Sequence, residues 1–378
     1  MTFNYVNFKE LSNKYLLNKL KIKYINYDNN YFKNYHNKKY FKVSKIRKRT
    51  VLTEYGVLTY SRRIYKNKYN GNIFVPTDIY VGIKPYSRII NEIKNIIINK
   101  IGQKKSYKNI QDEFNIYISK TTISNIFKNI KVKEILPQEK IKVKDNEYIY
   151  INVDDCFVPV WNKNKKRKLQ KIRSISYNTG KKQISKNRNK LLNKKYNFMF
   201  NYKFTHDFYQ NNPTVESTWK GLIKYYDFYN PKLVVAGDGA GWIKNLAKYL
   251  GAYYVFDKYH AISYLKKAYN LESKWRTIIS NIEKINNYKI SLNYFCNGQY
   301  NELIEFLTKT KVNKEILKIF KNNKQGIINQ SASWNIGCSA ESDIFHLVKS
   351  QTKGAKTYNY KTLNNMLIAK INYLNNRI

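Results

Sequence analysis

The chain has 378 residues, 70 Lys plus Arg against 25 Asp plus Glu, a formal charge of +45, an apolar fraction of 43% and 36 Tyr. That length supports a sizeable core and two or three domains, and the charge predicts salt-sensitive attraction to polyanions. Three scattered Cys and four His exclude a disulfide framework and a structural zinc site. No run is long enough to span a bilayer, no segment reads as a basic amphipathic anchor, and MTFNYVNFKE lacks an apolar signal core. A cytoplasmic, nucleoid-associated protein is therefore expected. An AT-rich genome also enriches Lys, Asn, Ile and Tyr, so charge alone does not name the partner.

Residues 1–45 carry Leu11, Tyr15, Leu16 and Leu20 at a spacing that permits one amphipathic helix. Residues 46–86 alternate charged and apolar positions around Gly56 and Gly71, the pattern of a small β-hairpin unit with Arg and Lys outward. Over 87–140 the period lengthens. Ile89, Ile90, Ile93, Ile97 and Ile101 form a helical stripe ending at Gly102. Ser106 then caps a short helix burying Tyr107, Ile110 and Phe114, and Ser119 caps another with Ile123, Ile126, Phe127 and Ile130. Two short helices about a tight turn, the second presenting Lys120, Thr121, Thr122, Ser124 and Asn125, fit a helix-turn-helix DNA reader. A plain helical hairpin would bury the same face.

From 146 a new order begins: strands at YIYINVDDCFVPV, LQKIRSISY and NFMFNYKFTH, a helix over 214–228, the buried strand KLVVAGD, a helix closed by Gly251, the strand AYYVFD and a further helix. Three antiparallel strands followed by parallel crossovers is the element order of a ribonuclease-H-like mixed α/β sheet. On this reading 146–264 and 331–378 form that domain, and 265–330, helical in period throughout, is an insertion. The stretch 161–196 contains no acid. Lys165, Lys166, Arg167 and Lys168 within it are read as tracking phosphates beside the active site, with a solvated basic face as the plainer alternative.

Acids are scarce, so those at element ends stand out. An inward carboxylate at Asp154 costs desolvation energy unless metal or hydrogen bonds compensate, and Asp155 competes for the same role on the opposite strand face. Asp238 ends a strand and enters the small-residue turn GAG, where a substrate backbone can approach; it could equally cap the next helix. Glu341 opens ESDIFHLVKSQ, where an acid in a first turn is a favourable dipole partner, and spacing does not separate it from Glu302, Glu305 or Glu315. Asp257 and His260 could orient water or a phosphate around the centre, as Asp155 could, or simply cap a helix. His206 and Asp207 read as strand-end polar residues.

GDGAGWI, FDKYH and GCSAE before a helix, with TEYGVLTYSRRIY and SYKNIQDEF…ISKTTISNIF upstream, resemble the blocks of ISLre-type insertion-sequence transposases, which are distantly similar to mutator-type transposases. The resemblance implies a catalytic, metal-binding triad of Asp154, Asp238 and Glu341. It implies two Mg²⁺ (or Mn²⁺) ions, cleavage and strand transfer of double-stranded DNA at element ends and target, and a homo-oligomer on DNA. Oxygen-only ligands suit those ions. The Arg- and Pro-containing continuation of the family after the Glu is replaced here by QTKGAKTYNY. A DNA-binding protein with an idle catalytic site is accordingly the second reading.

Overall fold

The computed structural model describes residues 5–35, 37–114, 118–161, 164, 166–185, 188–200, 212–271, 282–352 and 357–376. Lys165, His206 and Asp207 lie outside them. The chain forms two compact units, Met1–Lys133 and Glu134–Ile378.

The first unit opens with helix α1 (Tyr5–Asn30). Its expected apolar stripe is not its buried face, since Leu11 and Tyr15 are exposed. It packs instead through Tyr24, edge-on to Tyr60, and through Asp28, which accepts from Thr77 and pairs with Arg63. Strands β1 (Phe41–Thr53) and β2 (Gly56–Asn67) make the expected hairpin, which starts earlier than the sequence pattern indicated. Gly56, at φ +128°, supplies the turn. β3 (Ile73–Phe74) pairs with β2, and α2 (Pro76–Tyr80) follows. The hairpin's arginines are not all outward. Arg62 is buried on Asp78, whereas Lys42, Lys45, Arg47 and Lys48 are exposed.

Helices α3 (Asn91–Gly102), α4 (Tyr107–Glu113) and α5 (Lys120–Asn129) pack through Ile93, Ile97, Ile110, Ile123 and Phe127. Ser106 and Ser119 accept from the backbone N–H of Asn109 and Thr122, the caps their positions predict. Lys120, Thr121 and Asn125 are exposed. Thr122 is engaged by the Ser119 cap and Ser124 by Tyr107, so those two hydroxyls serve the helix pair.

The second unit is a mixed α/β structure. β4 (Ile141–Lys142) pairs with a two-residue strand, β10 (Tyr226–Asp227). β5 (Tyr148–Trp161), β6 (Arg167–Asn178) and β9 (Lys195–Phe200) form an antiparallel ladder. Between β6 and β9 stands an exposed hairpin, β7 (Gly180–Ser185) with β8 (Arg188–Leu192), which sequence patterning did not reveal. β11 (Lys232–Gly237) lies parallel to β5, and β12 (Tyr253–Phe256) parallel to β11. The sheet order is β12-β11-β5-β6-β9, with β13 (Tyr358–Asn359) on the far end of β5.

Helix α6 (Pro213–Tyr225) leads from β9 toward β11, α7 (Gly241–Tyr249) connects the parallel β11 and β12, and α8 (Lys258–Ala268) follows β12. Among the described residues, the region read as an insertion carries helices α9 (Ile282–Cys296), α10 (Tyr300–Lys309), α11 (Lys314–Asn322) and α12 (Lys324–Ile328). They add Phe295, Leu303 and Phe320 to the core of Ile149, Ile151, Val153, Val235 and Phe256. The chain then runs along the other sheet face into α13 (Ala340–Ile344), a π-helical turn (Phe345–Lys349), α14 (Ser350–Thr352) and α15 (Tyr360–Asn375). Among the described residues no helix is long and apolar enough to cross a membrane.

Candidate active site

The two-residue period of β5 sorts its side chains. Ile149, Ile151 and Val153 enter the main core, while Tyr150, Asn152 and Asp154 meet the segment that leads into α13. The Tyr150 hydroxyl donates to the Trp334 carbonyl at 2.7 Å, and the Asn152 amide oxygen accepts from the Ser339 N–H at 3.1 Å. The next position on that face is Asp154, and it meets Glu341. Further along, Cys156, Val158 and Val160 pack under Ile344, Leu347 and Val348. Asp154 therefore occupies the gap between two coverings of one sheet face.

One oxygen each of Asp154 and Glu341 and one ring nitrogen of His260 lie within 4.8 Å of one another. Asp154 is 5% exposed, and its carboxyl is pushed up to about 7, first by burial and next by the charge of Asp238. Asp238 follows β11, whose register pairs Ala236 with Asn152 and so carries Asp238 alongside Asp154. A side chain at Gly237 would stand 2.7 Å from the Val153 carbonyl oxygen, which explains the glycine there. Asp238 is not a helix cap: Ala240 holds that position in α7, and its N–H donates to the Asp238 carboxylate at 2.9 Å. That bond orients Asp238 toward its own turn, and the tightest group is Asp154, Glu341 and His260.

His260 thus enters the centre itself. Asp257 caps α8 by accepting from Tyr259 N–H and holds His260 Nδ1 at 2.9 Å, which leaves Nε2 as the second ring nitrogen. This hydrogen bond raises the His260 pKa, and Asp154 and Asp238 act in the same direction. Glu341 also accepts from Lys349 at 2.8 Å, a residue brought back over it by the π-helical turn. Glu341 raises the Lys349 pKa in return. The carboxylates are thereby countered by an imidazole and an ammonium. Tyr259 and Phe345, both exposed, line the cleft that opens beside Asp257 and Glu341.

Asp155 points to the opposite face. Arg173, directly across the ladder, holds it with two bonds of 2.9 and 3.0 Å, and Lys171 adds a third contact. The Arg173 guanidinium also donates to Thr214 and lies 3.4 Å from the Trp242 ring centroid. Asp155 is consequently an ion-pair partner within the fold and does not support the centre. Burial pushes the Cys156 thiol up to about 12 and raises Cys338 far above its usual range, so neither offers a thiolate. Glu302, Glu305 and Glu315 lie on α10 and α11 outside this group. Lys166, Arg167 and Lys168 are exposed, but Lys168 pairs with Val160 and Arg167 with Trp161. Six or seven residues of strand, about 20 Å, separate them from Asp154, so they are not beside it.

Sequence reasoning missed Lys349, Lys194 and Asp343. Only a basic residue following the Glu341 helix hinted at the first, and nothing local marks the others.

An acid in the middle of β5 meeting a helix-borne acid and an oriented imidazole on one face of a mixed sheet, with Asp238 just past the end of the neighbouring β11, defines a candidate divalent-cation centre. The chain belongs to the Uncharacterised protein family (UPF0236), whose model matches residues 5–376. UPF0236 protein TTE0610/TTE0881/TTE1053/TTE2432 of Caldanaerobacter subterraneus subsp. tengcongensis is 26% identical over 319 residues, covering 80% of this chain and 62% of its own. UPF0236 protein TTE1650/TTE2708 of the same organism is 26% identical over 319 residues, with 80% and 59% covered. A third, 26% identical over 314 residues with 80% and 62% covered, has a name carrying eleven locus labels, TTE0033 to TTE2212. The chain spans about three fifths of the length of these relatives.

Proposed function

We propose that this protein is a metal-dependent DNA transposase of the ISLre type, built on a ribonuclease-H-like sheet. The observation that carries the reading is the meeting of Asp154 and Glu341, distant in sequence, at a spacing suited to one cation, with Asp238 alongside. The strand order β12-β11-β5-β6-β9, with β5, β6 and β9 antiparallel and the other two parallel, agrees with that fold. The eleven locus labels in one relative's name suit a sequence present in many copies.

The donors fit a hard divalent ion. Asp154, Asp238 and Glu341 offer oxygens, and a buried carboxyl near 7 is one that a cation would deprotonate. Mg²⁺ matches the oxygens, and Mn²⁺ also accepts the His260 nitrogen. When bound, two such ions would activate the attacking oxygen and stabilise the leaving oxygen of a phosphodiester. The protein's own groups do the rest. Asp154 would hold such an ion as its carboxylate, its proton passing to solvent, and Asp257 holds the His260 ring in one orientation. Lys349 neutralises Glu341, which would be one of the residues holding a cation. A charge of +45 draws in double-stranded DNA. The exposed Lys120, Thr121 and Asn125 of α5 contribute to reading it, with Arg167 and Lys168 on phosphates, in a homo-oligomer assembled on the element ends.

The test is Mg²⁺-dependent cleavage of DNA carrying the sequences that flank the gene, comparing wild type with Asp154→Asn, Asp238→Asn and Glu341→Gln. Loss in all three is expected. Full activity in any one removes that residue from the centre, and binding without cleavage by the wild type favours a DNA-binding protein with an idle site.

A further inference from the structure

We propose that Asp343 is a positioning residue for Glu341, acting through a buried clamp with Lys194, Ser176 and Ser339; this rests on the reading of Glu341 as a metal ligand. Asp343 is 1% exposed and sits in the first turn of α13, two residues after Glu341. Its Oδ2 accepts from the Ser176 hydroxyl of β6 at 2.5 Å and from the Ser339 hydroxyl at 2.8 Å, and its Oδ1 takes the Lys194 ammonium. Lys194 also donates to Ser339 at 3.1 Å. The backbone of Ser339 is tied in turn to Asn152, two residues before Asp154. The first turn carrying Glu341 is thus bonded to β5, which carries Asp154, and to its neighbour β6, since Ser176 stands directly opposite Asn152.

Stability alone does not call for this arrangement. A buried ion pair is often no better than apolar residues of similar volume, and Ile344, Leu347 and Val348 already seat the helix. Apolar packing leaves rotation and sliding of a terminal turn soft, whereas directional bonds from two strands fix both. Such fixing matters here because Asp238 and Glu341 both act as like charges on the buried Asp154. The clamp holds Glu341 against that repulsion. Lys194 directly follows the basic hairpin β7–β8, whose Lys181 donates to the Ile336 carbonyl, so hairpin and Glu341 segment are joined at two points.

The experiment is a Mn²⁺ titration of the full chain for wild type, Asp343→Asn, Glu341→Gln and the double variant, with metal-free melting and amide exchange over 340–344. An amide cannot accept at both ends, so Asp343→Asn breaks the clamp at nearly constant shape. We expect it to weaken Mn²⁺ binding about 10-fold, to speed exchange over 340–344 without metal, and to add less than about 2-fold in the Glu341→Gln background. Ser176→Ala should act in the same direction and replaces Asp343→Asn if that variant does not fold. Unchanged affinity in Asp343→Asn with weakened affinity in Glu341→Gln overturns the positioning role and leaves the metal reading standing. Additive losses also overturn it, because Asp343 would then act elsewhere. Equal affinity in wild type and Glu341→Gln refutes the metal reading and the clamp's purpose with it.

Discussion

Asp154→Asn should stabilise the metal-free protein at neutral pH although it destroys the proposed centre. The Asp154 carboxyl is raised from 3.8 to about 7 by burial and then by Asp238. At roughly 1.4 kcal/mol per unit, about three units make ionisation cost the folded state ~4 kcal/mol. The folded state holds this proton more tightly than the unfolded one, so stability is present below about pH 4 and is lost as pH rises toward 7. Asparagine carries no charge to strand and keeps an oxygen for the Asp155 N–H, which Asp154 now accepts at 2.7 Å. If relaxation of the cluster absorbs half the cost, about 2 kcal/mol remains, or roughly 4–8 °C in Tm for a unit of this size. The assay is thermal melting in chelator from pH 4 to 8. The gap between variant and wild type should open across that range and level off above 7. A variant no more stable than wild type at pH 8, or a gap already complete at pH 4, refutes the reasoning.

His260→Gln should destabilise where Asp154→Asn stabilises, with the same pH sense, because both folded-state pKa values are raised. The Asp257 bond raises the His260 pKa, so its stabilisation is complete below about 6.5 and fades as pH passes the raised value; melting should show a larger loss at pH 6 than at pH 9. Arg173→Met strips Asp155 of its main partner and Trp242 of its cation, and should cost about 3–5 kcal/mol in chemical denaturation. Gly237→Ala would put a methyl 2.5 Å from Ile243 Cδ1 and 2.7 Å from the Val153 oxygen. It should cost about 1–3 kcal/mol and weaken Mn²⁺ binding by displacing Asp238.

Much of this architecture was legible where one physical signal acts alone. β11 and β12 are short continuous apolar runs because both faces are covered, and Ser106 and Ser119 announce α4 and α5 because an orphan N–H there needs a hydroxyl. The hairpin β7–β8 was not legible, since it stands in solvent and has no buried face to impose a pattern on its Lys and Asn. The true face of α1 was hidden for a related reason: it is defined by Asp28 and Tyr24 meeting β2 and α2, contacts that helical period does not encode. Glu341 could not be told from other glutamates because its place depends on Asn152, Ser176 and Lys194, all remote in sequence. His260 looked peripheral because its neighbour Asp257 reads as a cap, which it is, while also turning the ring toward the carboxylates.

The most direct measurement is an anomalous difference map from crystals of the full chain grown with Mn²⁺. Density bounded by Asp154, Glu341 and His260, with Asp238 at its edge, is the expected result. An empty cleft at saturating Mn²⁺, or density confined to sites away from Asp154, would contradict the proposal that these acids form a metal centre.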